Sequence, residues 1–238
     1  MSGTRDLLSP LRAAIDDYQL IAENDRIAVG VSGGKDSVAL LSLLVQLQRF
    51  YPHSFSLVAI TIDPGFPTSV DYTPIADWCA KHGIPYVLEK TALWDAVKEQ
   101  LSTQPPCSLC AKMRRGILHR VAVEQGCNVV ALGHHQDDAA ETVMMNLFSG
   151  AAFSCFSPKS DLERRGITLI RPMIYLTERE IASYAVRESL PIIRSACPVD
   201  GHTHRQTVKE ELHRLSNRYG DVSRKLVTAL KKGCISGW

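Results

Sequence analysis

The sequence predicts an α/β protein, an open, mostly parallel five-stranded sheet with helices on both faces. Three observations carry that prediction. Short runs rich in β-branched residues alternate with longer segments of helical period along the whole chain. The strand-like runs read as apolar on both faces, as in parallel sheets covered on each side. Three loops carrying glycine or acidic residues follow the ends of such runs, the edge where open parallel sheets bind ligands.

The elements follow in order. Leu7, Leu8, Leu11, Ile15, Tyr18 and Ile21 recur at helical spacing and predict a first amphipathic helix. Residues 26–31 are a first strand that runs into a glycine loop, and residues 37–50, rich in Leu and Val, are a buried helix. Residues 55–62 form a second strand ending at Asp63-Pro64-Gly65, and 69–81 a helix stopped by His82-Gly83. Residues 84–88 are a third strand, and 93–101 a helix broken by Thr103-Gln104-Pro105-Pro106. A helix runs from Cys107 towards Glu124, then 128–132 is a fourth strand leading into Gly133-His134-His135-Gln136-Asp137-Asp138. Residues 139–148 are helical, and 149–166 read as an irregular, mobile stretch. Residues 168–170 are a fifth strand. Thr177 with Glu180 three residues later is a capping box opening a helix over 177–188. From about Arg205 the chain is helical, with Cys234 in a frayed tail.

Composition narrows the class. The 238 residues fit one domain, 1–238, with an N-terminal helix and a helical C-terminal segment. The net charge of +2 neither announces nor excludes a nucleic-acid partner, because a local basic face suffices. No apolar run approaches the roughly 20 residues of a membrane helix, and the first residues lack a secretory layout. The expected location is the cytoplasm, with no membrane partner. Seven cysteines there argue against a disulfide framework.

The first chemical signal is Ser32-Gly33-Gly34-Lys35-Asp36-Ser37 between a buried strand and a buried helix. Glycines let the backbone approach an anion, the helix amides and dipole favour negative charge, and Lys35 adds a full positive charge. A Walker A loop is excluded: Val29 stands at its first glycine, and Asp36 where Ser or Thr coordinates magnesium. The hexapeptide resembles the loop of the PP-loop ATP pyrophosphatases. That resemblance implies ATP cleaved between its α- and β-phosphates, adenylation of a carbonyl oxygen, and displacement of AMP by nitrogen or sulfur.

The second signal is Cys107-Ser-Leu-Cys110 at the mouth of a helix, with Cys197 about 90 residues on. By itself a C-x-x-C is a redox dithiol, half of a zinc site, or two ligands of an iron–sulfur cluster. His202 or His204 would close a Cys₃His zinc site. Taken with Arg114-Arg115-Gly116 and the Gly133–Asp138 loop, the set resembles the tRNA thiolation branch of the PP-loop enzymes, over about residues 7–215. The 2-thiocytidine family, which modifies an anticodon-loop cytidine, is the best match.

The resemblance implies the following roles. Cys107, Cys110 and Cys197 hold a [4Fe-4S] cluster with one iron open to sulfur. Ser32, Gly33, Gly34, Lys35, Asp36 and Ser37 hold ATP, joined by Asp63, Gly133 and His134. Lys35, Asp36, Asp137 and Arg114 act in catalysis, the two aspartates through Mg²⁺ or loop orientation. Asp137 and Asp138 are also candidate helix caps, and Asp63 a candidate turn residue. The implied partners are tRNA, a sulfur donor such as a cysteine desulfurase or free sulfide, and a second copy in a homodimer. Arg114, Arg115, Arg120, Lys159, Arg164, Arg165, Arg194 and Arg205 are candidate RNA contacts, with Phe153 or Phe156 as base-stacking residues. Two other readings stay open: a PP-loop enzyme that amidates or thiolates another RNA or a small molecule, and a zinc-stapled RNA-binding module.

Overall fold

The structure, a computed structural model, describes residues 7–98, 107–198 and 204–238, apart from the side chains of Cys107, Ser108, Arg164 and His204. Helix α1 (Leu8–Tyr18) leads into β1 (Asp25–Gly30), α2 (Lys35–Leu47), β2 (Phe55–Asp63), α3 (Thr73–Lys81) and β3 (Tyr86–Lys90). Then come α4 (Leu93–Lys98), α5 (Cys107–Glu124), β4 (Val129–Ala131), α6 (Gln136–Gly150), β5 (Lys159–Leu162) and β6 (Ile167–Ile170). Helices α7 (Glu178–Arg187), α8 (His204–Tyr219) and α9 (Val222–Lys232) follow. The expected breaker at 103–106 and the first six residues lie outside the described residues.

The strands form one sheet in the order β3-β2-β1-β4-β6-β5. Every pairing is parallel except that of β5 with β6. The sheet therefore has six strands, not five. Lys159-Ser160-Asp161-Leu162 lacks an apolar face because it is an edge strand bonded on one side only. Nor is the whole 149–166 stretch loose. Its loop is pinned by bonds from Asn146 Nδ2 to Ser154 O (3.0 Å) and from Trp238 Nε1 to Phe156 O (2.8 Å). The expected frayed tail is packed too, with Trp238 buried.

Side chains alternate across the sheet as a doubly covered strand demands. Ile27, Val29, Leu57 and Ala59 face a core shared with α1, α2 and α7; Ala28, Val58 and Ile60 face Leu118 and Val121 of α5. Helix α2 is nearly all apolar and buries Leu40, Leu41, Leu43, Leu44 and Leu47 completely. Each such side chain stabilises the fold by roughly 1.5–3 kcal/mol. Strand order reverses direction about β1: the chain moves first to β2, and later returns to β4 on the other side. That switch point is where an open sheet leaves a crevice. The loops after β1 and β4 both open into it. Among the described residues no helix is long and apolar enough to cross a membrane.

Candidate active site

The loop after β1 is built by its own residues. Gly33 has φ +90°, a conformation that side-chain-bearing residues rarely adopt. Ser37 Oγ donates to Gly34 O (2.9 Å) and accepts from Ser32 N (3.0 Å), and the two serine hydroxyls lie 3.2 Å apart. Ser37 thus staples the turn from within. Gly34 is the N-cap of α2 and has no side chain to satisfy the first-turn amides. Those amides and the helix dipole make an anion site. Gly133 closes the turn from the β4 side. A Cβ there would stand 3.1 Å from the Asp36 carbonyl carbon and 3.1 Å from Ser37 N.

Charge is arranged around this loop in two ties. Lys35 Nζ reaches Glu178 Oε1 at 3.0 Å and Asp36 Oδ2 at 3.2 Å, and Lys209 Nζ reaches Glu178 Oε2 at 2.6 Å. Burial pushes Glu178 up, but its bonds to Lys209 and Lys35 outweigh that and hold it at about 2. Burial likewise pushes Lys35 down, and the Asp36 charge and the Glu178 bond more than reverse it. Asp36 Oδ1 is buried with no hydrogen-bond partner. In the second tie, Arg205 Nη1 bridges Asp138 Oδ1 (3.0 Å) and Glu141 Oε2 (3.2 Å). Burial pushes Glu141 up to about 7 against the pull of Arg205.

The adjacent aspartates separate cleanly. Asp138 forms a capping box with His135 at the start of α6: His135 N donates to Asp138 Oδ2 at 3.0 Å, and Asp138 N to His135 Nδ1 at 3.3 Å. Asp137 Oδ2 accepts from Glu178 N at 2.7 Å and so caps the first amide of α7, which leaves Oδ1 as its other oxygen. His135 is the packed histidine of the pair, 5% exposed. His134 turns to a cavity of about 640 Å³.

That cavity sits on the switch point. Ser32, Gly34, Asp36 and Ser37 line it, as do Ala111 and Arg114 of α5. Gly133, Phe156, Arg171 and Arg205 line it as well. Asp63 does not. Its Oδ1 accepts from Gly65 N at 3.0 Å, so it is a turn residue of Asp63-Pro64-Gly65 rather than part of the lining. A second cavity of about 490 Å³ lies behind Lys35, against α7; it misses the serines and glycines of the loop.

Both described cysteines of the candidate triad sit on elements bordering the loop. Cys110 lies one helical turn before Arg114 on α5. Cys197 lies in the extended segment after α7, where Ile193 N donates to Gly33 O at 2.9 Å. Four residues span at most about 14 Å, which bounds the distance of Cys197 from that tie. Among the described residues no three His, Cys, Asp or Glu side chains gather as metal ligands. The Cys107 thiol, the His204 side chain and His202 lie outside what the structure describes. Cys79 and Cys127 are core residues, and burial pushes Cys79 up to about 11. Cys155 is pushed up to about 12 by burial and lies 3.6 Å from Ala139 O.

A family model described as the PP-loop domain matches residues 7–215. The chain belongs to the PP-loop family. Its curated PP-loop relatives include the tRNA-cytidine(32) 2-sulfurtransferase of Geobacter metallireducens, 39% identical over 95% of this chain and 89% of the relative. The enzyme of the same name from Geobacter sulfurreducens is 39% identical over 91% and 85%. Among solved PP-loop structures, the U34-tRNA thiolase NcsA from Methanococcus maripaludis with its [4Fe-4S] cluster shares the fold at TM-score 0.76. It is 24% identical, over 94% of this chain and 77% of that one.

Several residues of the site escape sequence reading. Glu178 holds Lys35 from 143 positions away, and nothing local marks it, since it reads as an ordinary acidic residue in a first helical turn. Arg171 was findable: it follows directly on β6, at the same sheet edge that singles out the other loops. Arg120, a candidate RNA contact, is instead tied to Glu89 and Glu124. Lys159 donates to Gln19 O.

Proposed function

We propose that this chain is an ATP-dependent tRNA sulfurtransferase, replacing the C2 oxygen of cytidine 32 with sulfur, and that it works in the cytoplasm as a single PP-loop domain, 1–238. The observation that carries the reading is one cavity bordered on one side by the phosphate loop and on another by the helix that opens with the C-x-x-C. The substrate is taken from the relatives, which are named for tRNA cytidine 32.

The residues fit the groups this chemistry needs. Triphosphate oxygens suit the open amides of α2 and the hydroxyl of Ser32. The partnerless Asp36 Oδ1 is the natural ligand for Mg²⁺ shared with those phosphates, with Asp137 Oδ1 as a second oxygen. Cys107, Cys110 and Cys197 would hold a [4Fe-4S] cluster, since three thiolates leave one iron without a protein ligand. When bound, that cluster supplies an exchangeable position where sulfide-level sulfur is held next to the reacting base.

The protein's own residues then act on charge and position. The cytosine O2 attacks the α-phosphorus and the bond to the β-phosphate breaks. Lys35, leaving Glu178 for the phosphates, and the α2 amides carry the charge of the departing pyrophosphate. Hydrosulfide-level sulfur adds at C2, and the C2–O bond breaks with the electron pair leaving on AMP. Arg114, one turn from Cys110, faces the cavity in which AMP departs. The sulfur comes from free sulfide, or from the persulfide of a cysteine desulfurase together with a thiol reductant that supplies two electrons and leaves as disulfide, and the working form is a homodimer.

The test is anaerobic purification followed by metal and turnover assays. The expected result is about four irons and four sulfides per chain, with AMP, pyrophosphate and 2-thiocytidine formed together on thiolation-deficient tRNA. One zinc per chain without AMP release would overturn this reading in favour of the zinc-stapled RNA-binding module. Turnover retained in Cys107→Ala would point instead to amidation or other chemistry without the cysteines.

A further inference from the structure

We infer that His134, Phe156 and Arg171 form the seat of the flipped-out target base, and that Arg171 selects cytosine over uracil there. The inference rests on the tRNA reading above and adds the residues that recognise the base.

The cavity has two chemically distinct ends. Gly30, Val31, Ile60, Ile62, Leu118 and Leu132 line an apolar slot beside the phosphate loop, which suits the adenosine of a nucleotide whose phosphates sit on Ser32–Ser37. Towards the β4–β6 side of the sheet the lining carries rings and a cation, His134 after β4, Arg171 after β6 and Phe156 before β5. The His134 and Phe156 rings are 4.9 Å apart at 43°, and the Arg171 guanidinium carbon lies 4.9 Å from the Phe156 centroid. A base that must present its carbonyl to the α-phosphate has to enter from this end, because the other is filled by the nucleotide.

Arg171 is an unusual side chain to find there. It is 5% exposed and makes no ion pair with a carboxylate among the described residues. Nη1 donates to Ser157 O at 2.5 Å, and among the described residues Nε is buried without a partner. A buried guanidinium left this short of acceptors is costly unless a ligand completes it. His134 is short as well, with Nδ1 buried and partnerless, and burial together with the nearby Arg171 charge keeps the ring neutral at neutral pH. An unpaired cytosine offers what both lack. Its O2 and N3 accept from Arg171, and its N4 amino group donates to a neutral imidazole. Uracil carries a proton on N3 and an acceptor at position 4, so it meets Arg171 donor to donor. Phe156 supplies the stacking face. The ring is fixed from behind by Trp238, whose indole donates to Phe156 O, and by Cys155, whose amide donates to Ser236 Oγ at 3.3 Å.

The experiment uses the cluster-loaded full chain, a non-hydrolysable ATP analogue, and an anticodon stem-loop with pyrrolocytosine at the target position. That base keeps an N3 acceptor and brightens when unstacked. The unaltered protein is expected to change its emission on binding. Arg171→Lys and Phe156→Leu are expected to lose most of that change while holding the stem-loop within about threefold in affinity, since phosphate contacts dominate binding. In turnover, Arg171→Lys is expected to narrow the preference for cytidine over uridine at the target position by about tenfold or more. Far-UV circular dichroism and the melting temperature serve as the control for folding, ATP-analogue affinity is read beside them, and Phe156→Leu is the milder variant. A full emission change in both variants, or loss of nucleotide binding in Arg171→Lys with an intact fold, would overturn the assignment alone. A stem-loop that the unaltered protein does not bind would overturn the tRNA reading and this seat with it.

Discussion

At the residue scale the site is a set of charges waiting for a better partner. Lys35 and Glu178 satisfy each other, and the 3.0 Å bond must break for Lys35 to serve a phosphate. Glu178 is held at about 2, against an ordinary value of 4.5. A depressed carboxylate contributes stability that is full above pH 4.5 and is lost as pH falls through its folded value. Both partners are about 30% exposed, so screening leaves roughly 1–2 kcal/mol of that contribution. Glu178→Gln should therefore lower stability by about that amount at pH 7, as urea melts would read. The deficit should narrow as pH drops from 4.5 towards 2; a deficit that is constant across that range would count against the pairing. Glu141 runs the other way. Its value is raised to about 7, so the fold loses stability as pH rises from 4.5 through 7. Glu141→Gln should accordingly raise the melting temperature at pH 8 and leave it unchanged at pH 4. Gly133→Ala is a third residue-scale case. The new methyl would meet the Asp36–Ser37 peptide bond at 3.1 Å, and backbone yields less readily than a side chain. The expected cost is about 1–3 kcal/mol, with weaker ATP binding seen by calorimetry.

At the element scale, what sequence makes legible depends on whether an element is specified locally. Helix α7 opens where Thr177 and Glu180 spell a capping box, because both partners lie within one turn. Strands β1, β2 and β4 are legible because burial on both faces leaves their centres almost wholly apolar, with Thr61 the buried exception. Strand β5 is not, since half its surroundings are solvent. Helix α6 begins at Gln136, three residues before the point suggested by its apolar pattern, because a histidine rather than a serine or aspartate caps it. The loop of 151–158 is the clearest failure. Its polar and small residues read as mobile, but part of its order comes from partners more than 80 positions away, such as Trp238. Removing that partner tests the point. Trp238→Ala should cost about 3 kcal/mol, as for other buried tryptophans. It should also raise KM for tRNA more than KM for ATP, since Phe156 rather than the phosphate loop loses its support. Equal effects on both would argue that Trp238 merely stabilises the fold.

At the scale of the whole molecule, a nearly neutral chain still gathers Arg114, Arg115, Arg171 and Arg205 around one cavity. Sequence displayed these arginines without their common address, which depends on how α5, β6 and α8 are brought together. For a tRNA ligand this predicts binding that weakens steeply with salt: the slope of log affinity against log salt should fall by about one for each phosphate-contacting arginine removed. Filter binding at several salt concentrations would measure it, and a flat dependence would rule out this face as the RNA surface. The same scale explains why the phosphate loop was readable and the sulfur side less so. Six contiguous residues define the loop, whereas Cys110 and Cys197 lie on separate elements, α5 and the strap tied from Ile193 to Gly33.

The contact between Trp238 and Phe156 also makes the protein its own optical instrument. The chain has three tryptophans. Trp78 is stacked on His82 at 3.8 Å and Trp94 meets Phe66 edge-on at 5.4 Å, both away from the cavity lining. Trp238 alone of the three lies against the loop that carries Phe156, with ring centroids 6.4 Å apart. Emission from a chain carrying Trp78→Phe and Trp94→Phe would come from that indole alone. Arrival of a base against Phe156 would then be visible in a stopped-flow trace with unlabelled RNA, separating the time of base capture from the time of sulfur transfer.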